Sequence, residues 1–175
     1  MSLKSSPTRY GSVAIALHWL TAIAIVVLLA TGLAAANTGD AGAELTLLRG
    51  HAVMGALVGV LTVLRIAWWL LIDRRPAPAA GLSQGQARAA GMVHFGLYVA
   101  IVIMVSSGVG TLMLSGGPGQ LLGAVPLADF TLVPPFTVHA ILSRLLAVLA
   151  LGHVAAALWH QFVSRDRLLA RMGVG

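Results

Sequence analysis

From Gly11 to Gly39 the chain carries no formal charge, and its apolar residues recur without the polar face of a soluble surface helix. About 20 apolar residues cross the hydrocarbon of a bilayer, and four stretches qualify: about 12–36, 50–72, 91–115 and 137–163. The breaks between them are chemically plain. Asn37 to Gly39 stop the first run, Pro76 and Pro78 cannot continue the second, and "SGGPG" at 115–119 ends the third. Pro134 and Pro135 introduce the fourth. The first run is too long for the h-region of a signal peptide, and three more follow, so it is read as a retained helix with Met1 kept. The pattern predicts an all-α, integral membrane four-helix bundle, one domain over 1–175 without internal repeat. The third span is expected to develop after Arg88, and "VPLADFTLVPP" at 125–135 to hold a short interfacial helix.

Composition agrees, with 58% hydrophobic and 9% charged residues. A net charge of +6 could suggest nucleic acid, but the cations cluster at span ends. Lys4 and Arg9 precede span one, Arg74, Arg75 and Arg88 join spans two and three, and Arg165, Arg167 and Arg171 follow span four. Insertion topology explains that distribution, so no nucleic-acid partner is expected and both termini should be cytoplasmic. The connections at 37–49 and 116–136, with Arg49 as their only basic residue, should face outward.

The absence of cysteine removes disulfides, thiolate metal sites, iron–sulfur clusters and covalent haem attachment. All six histidines, His18, His51, His94, His139, His153 and His160, lie in the spans or at their ends. His139 and His153 are separated by about 21 Å of helix rise and about 40° of rotation, so both can face one interior. His160 extends that stripe to about 31 Å from His139, the inner interface. Depth then permits two cross-helix pairs, His18 with His153 on the inner side and His51 with His139 on the outer. Each pair can clamp one haem iron, and two axial imidazoles leave no position for oxygen, which favours electron transfer. Histidines that merely bridge helices are the alternative for any one residue taken alone. A tetrahedral zinc site suits the pattern less, because the two levels are too far apart and the spans offer almost no carboxylate. His94 lies at the depth of His18 and competes with His153 as its partner.

Arg65 and Arg144 lie inside spans, where a cation needs an anion, and haem propionates would supply one; for Arg65, snorkelling to headgroups is the alternative. Trp19, Trp68, Trp69 and Trp159 read as an inner aromatic belt. Gly55, Gly59 and Gly152 would let helices or a porphyrin approach closely.

Tyr10 to Trp19 as "Y-x7-HW", "RGH" at 49–51, His139, "GHVAAALWH" at 152–160 and "DRLLARM" at 166–172 resemble the bacterial cytochrome b561 family over nearly the whole chain. The resemblance is to the small diheme members, some of which are similar to the superoxide oxidase of the bacterial inner membrane. It implies a multi-pass inner-membrane oxidoreductase with two haem b, passing electrons from superoxide to ubiquinone with no side-chain nucleophile. It places the haem ligands on His18, His51, His139 and His153 and a ubiquinone-associated histidine on His160. The outer loops depart from an electropositive approach for superoxide, offering only Arg49 and Arg144. Two other readings stay open. One is a cytochrome b relay to a soluble redox partner of the hydrogenase or formate dehydrogenase kind; the other is a non-redox membrane interaction protein.

Overall fold

Polar caps, rather than hydropathy, decide where the second and third long helices begin. The computed structural model describes residues 2–79, 81–122 and 129–174. Helix α1 spans Ser12–Asn37, α2 Ala41–Ala67, α3 Gln84–Leu114, α4 Pro118–Leu121 and α5 Pro134–Phe162. Helix α2 starts well before the expected residue 50 because the Asp40 carboxylate accepts the Ala43 N–H at 2.7 Å, with Glu44 in the first turn. Helix α3 likewise starts before Arg88. Ser83 accepts from the Gln86 N–H and the Gln86 side chain accepts from the Ser83 N–H, a reciprocal cap. Proline at its first position opens α5. Of the expected interfacial helix, residues 125–128 lie outside the described ones, and the rest contains a 3-10 turn at Phe130–Leu132.

Among the described residues, four helices are long and apolar enough to cross a membrane: Ser12–Asn37, Ala41–Ile72, Gln84–Leu114 and Pro134–Phe162. Val26, Val53, Val60, Val148 and Leu151 are exposed, as expected where lipid rather than water is the solvent.

Two helical hairpins make the bundle, α1 against α2 and α3 against α5, joined chiefly where α2 meets α3. They repeat one another, contrary to the expectation of no internal repeat. Ala24, Val58, Ala100, Ile101 and Leu146 form the buried apolar cluster. Ala24 corresponds to Ala100 and Ile25 to Ile101, 76 positions later, and Val58 to Leu146, 88 positions later. His18 and His94 share the first offset, and His51 and His139 the second. Length differences between the connecting segments and apolar drift within the helices hide this repeat from a reading by spans.

One end of the bundle is fastened by both termini. After α2 the chain makes a π-helical turn, Trp68–Ile72, and emerges at Asp73. That carboxylate accepts from the Ser5 N–H at 3.0 Å, the Ser5 hydroxyl at 2.8 Å, Trp68 Nε1 at 3.2 Å and the Arg74 N–H at 2.9 Å. Gly11 is required where the amino-terminal strap folds back, since a Cβ there would collide with the Leu3 carbonyl oxygen. Arg171 donates to the carbonyls of Thr8 and Ala77, and Tyr10 N–H to that of Arg171, binding the strap, the α2–α3 connection and the carboxyl-terminal segment together. Trp19 belongs to the same latch through its 3.1 Å bond to the Met172 carbonyl.

Burial alone would raise the Asp73 pKa, but the bonds from Ser5, Arg74 and Trp68 outweigh it and hold the carboxyl below its ordinary value. Its stabilising contribution is therefore complete above the ordinary carboxylate pKa of about 3.9 and disappears as pH falls through the lower folded value. Asp73→Asn should lower stability at neutral pH by on the order of 1–2 kcal/mol and flatten the acid limb of the stability–pH curve. Thermal unfolding of the detergent-solubilised protein between pH 3 and 7 measures both effects.

Candidate functional site

Imidazoles on opposite hairpins face each other at two levels of the bundle. At the level of the α1–α2 connection, the His51 and His139 ring centres lie 6.0 Å apart with planes inclined at 69°. At the level of the termini, His18 and His153 lie 6.2 Å apart at 74°. A metal–imidazole bond of about 2 Å on each side, plus about 1.1 Å from nitrogen to ring centre, places two trans ligands about 6 Å apart. Both pairs have that spacing. His94 also approaches His153, at 5.1 Å, but this contact lies within one hairpin and is short for an intervening metal. Among the described residues, no three histidine, aspartate or glutamate side chains converge as metal ligands.

The loop-end pair is prepared by hydroxyls that a reading of histidines alone does not find. Thr31 donates to the Val27 carbonyl at 2.8 Å, and its oxygen lies 3.2 Å from His51 Nδ1. Ser107 donates to the Met104 carbonyl at 3.0 Å, and its oxygen lies 3.1 Å from His139 Nδ1. That same Nδ1 is also 3.1 Å from the Met104 carbonyl. With both hydroxyl protons committed to carbonyls, each Nδ1 is the donor, and each Nε2 keeps its lone pair for a ligand. The next residues, Gly32 and Gly108, let the rings lie close: a Cβ on either would stand 3.2 Å from the facing imidazole Cε1. Thr31–Gly32 and Ser107–Gly108 are separated by the same 76 positions as His18 and His94, the signal that could have found them.

The termini-end pair differs because the repeat is broken there. The residue matching His153 in the first hairpin is Arg65. Its Nη2 lies 3.1 Å from His18 Nδ1, its Nε is buried with no hydrogen-bond partner, and its guanidinium stands 5.4 Å from the Tyr98 ring centre. Arg75, read from the sequence only as a topology-setting cation, lies 5.8 Å from the same ring and 5.7 Å from that of Trp69. No carboxylate meets Arg65 among the contacts of the described residues, so this end has room in its chemistry for an anion. Arg144 is exposed and donates to the Ala140 carbonyl of its own helix. His160 is paired with Asp166, whose carboxylate oxygen lies 2.5 Å from Nδ1.

Small residues divide into two kinds. Gly59 serves helix packing, since a Cβ would stand 3.1 Å from Val105, whereas a Cβ on Gly55 or Gly152 would meet open space. The profile of the prokaryotic cytochrome b561 family matches residues 9–175. The chain belongs to the prokaryotic cytochrome b561 family. It is 30% identical over 184 residues to cytochrome b561 homolog 2 of Escherichia coli (strain K12), covering 98% of this chain and 95% of that protein. It is 33% identical over 122 residues to cytochrome b562 of Cereibacter sphaeroides, covering 70% of this chain and 65% of that protein. A b561-type membrane protein binds haem b and transfers electrons. Facing imidazoles at both levels, Nε2 lone pairs free at the loop-end pair and a part-buried guanidinium lacking an anion at the other suit such a group.

Thr31→Val and Ser107→Ala together should weaken haem retention at the loop-end pair by about 10- to 100-fold while leaving helix content unchanged. Haem titration of the purified protein, with circular dichroism as the control, checks this.

Proposed function

We propose that this b561-type protein is a diheme superoxide:ubiquinone oxidoreductase of the bacterial inner membrane. Two superoxide ions each lose one electron and leave as dioxygen; ubiquinone gains both electrons and two protons and leaves as ubiquinol. The observation that carries the reading is the pair of facing imidazoles at each of two levels, 6.0 and 6.2 Å between ring centres. His51 and His139 hold the outer haem b, and His18 and His153 the inner one. His94, at 5.1 Å from His153, stays outside the ligand set. Bound there, haem supplies a one-electron carrier with no open position for oxygen. Arg65 takes a propionate of the inner haem and Arg144 one of the outer; Arg75 adds positive charge beside Arg65. Exposed Arg49 and Arg144 are the cations available to superoxide at the loop end. His160 receives ubiquinone at the termini end, which the positive-inside distribution of arginines assigns to the cytoplasm.

Superoxide added to the purified, quinone-loaded protein should produce ubiquinol faster than spontaneous dismutation consumes the donor. Haem quantitation should give two per chain, one after His51→Ala, His139→Ala, His18→Ala or His153→Ala, and two after His94→Ala. No ubiquinol, together with a stable complex with a soluble redox subunit, would replace this reading with the relay. Absence of reducible haem bands would leave an interaction protein. Loss of haem in His94→Ala but not in His153→Ala would reverse the inner pairing.

A further inference from the structure

The chain leaves α5 by an unusual path that ends on His160. After Phe162, the Val163 and Ser164 N–H groups both donate to the Trp159 carbonyl, at 2.9 and 3.0 Å. Arg165 and Arg167 then adopt left-handed backbone conformations, each at φ 56°, which side chains with a Cβ seldom occupy. Between them stands Asp166. Its N–H donates to the His160 carbonyl at 3.2 Å, and its carboxylate lies 2.5 Å from His160 Nδ1. Two unfavourable conformations on either side of one residue are retained where the surrounding structure holds that residue in place. What they hold is a carboxylate brought back six positions onto an imidazole.

The placement of the pair gives it a use. His160 follows His153 by two helical turns on one face of α5, about 10.5 Å along the axis. The His160 side chain is 16% exposed and that of Asp166 24%, so the more accessible member is the carboxylate. A carboxylate accepting from Nδ1–H orients the ring and stabilises the imidazolium, leaving Nε2 for a second partner.

We propose that Asp166 is the positioning residue for proton delivery to quinone by His160. The proposal rests on the reading that quinone is reduced at the termini end. Quinone becomes quinol by gaining two electrons, derived from two superoxide ions, and two protons. His160 Nε2 gives up one proton at a time, its N–H bond breaking as the quinone O–H bond forms. Water, reached on the Asp166 side, restores each proton, and the carboxylate keeps the ring oriented between transfers.

The test uses the full-length, haem-loaded protein in nanodiscs, reduced with dithionite under anaerobic conditions. Stopped-flow absorbance then follows haem reoxidation by short-chain ubiquinone or by ferricyanide, which takes an electron without a proton. Asp166→Asn should slow reoxidation at saturating quinone by about 100-fold, with little change in the half-saturating quinone concentration. Ferricyanide reoxidation and the haem spectrum should be unchanged, and Asp166→Glu should recover part of the quinone rate. A normal quinone rate in Asp166→Asn, or an equal slowing with ferricyanide, would overturn the proposal. If Asp166→Asn loses haem, Asp166→Glu decides: a quinone rate lowered in step with ferricyanide overturns it, and selective slowing supports it. Failure of quinone to reoxidise the wild-type protein would refute the quinone reading itself and the proposal with it.

Discussion

An imidazole inside hydrocarbon must find a hydrogen-bond partner, because lipid supplies none and an unsatisfied polar group there costs several kcal/mol. The loop end of this bundle follows from meeting that demand twice. At the loop end the partners are Thr31 and Ser107, whose hydroxyls can serve a facing ring only if α1 stays in register with α2 and α3 with α5. Glycine at the next position is the steric counterpart, allowing the ring to lie against the neighbouring backbone. The apolar cluster around Ala24, Ala100, Val58 and Leu146 then separates the two levels, so the histidine pairs stand at opposite ends of an apolar middle.

The latch on the termini end complements this arrangement. Asp73 is reached by residues from the amino-terminal strap and from the π-helical turn, while Arg171 ties in the carboxyl-terminal segment. Three segments that would otherwise be loose tails at a membrane surface thus form one hydrogen-bonded unit beneath His18, His94 and His153. Trp19 and Trp68 take part through their indole N–H groups, so half of the expected aromatic belt has a directed structural role as well.

The four spans and the two cross-hairpin histidine pairs were legible in the sequence because bilayer thickness and helical rise turn residue number into depth. The starts of α2 and α3 were not: Asp40 and Ser83 cap helical turns whose polar residues hydropathy assigns to connections. The repeat was hidden for a different reason. Apolar positions facing lipid exchange freely among Leu, Ile and Val, leaving few identities such as His18–His94, Gly32–Gly108 and His51–His139 to carry the correspondence. Thr31 and Ser107 were passed over because a hydroxyl inside a membrane helix ordinarily bonds its own preceding turn, as both do, and only the fold shows the second bond to a histidine. Asp166 lies six residues beyond its partner, outside helical spacing, and reaches it only through left-handed backbone at Arg165 and Arg167.

The repeat also explains why the two ends can differ chemically while sharing a frame. A bundle of two equal hairpins presents equivalent groups from each half at every depth, and the loop end comes close to this, with Thr31, Gly32 and His51 mirrored by Ser107, Gly108 and His139. At the termini end the match fails at single positions. Arg65 stands where the second hairpin has His153, and Ile72 where it has His160. A guanidinium cannot shed its proton, so the first exchange fixes a positive charge where the symmetric frame would place a neutral ring. The second leaves an imidazole, with its carboxylate, on one hairpin alone. A fixed cation and a carboxylate–imidazole pair are thereby concentrated at one end of an otherwise duplicated scaffold, and this inequality, not the helical frame, distinguishes one direction across the bundle from the other.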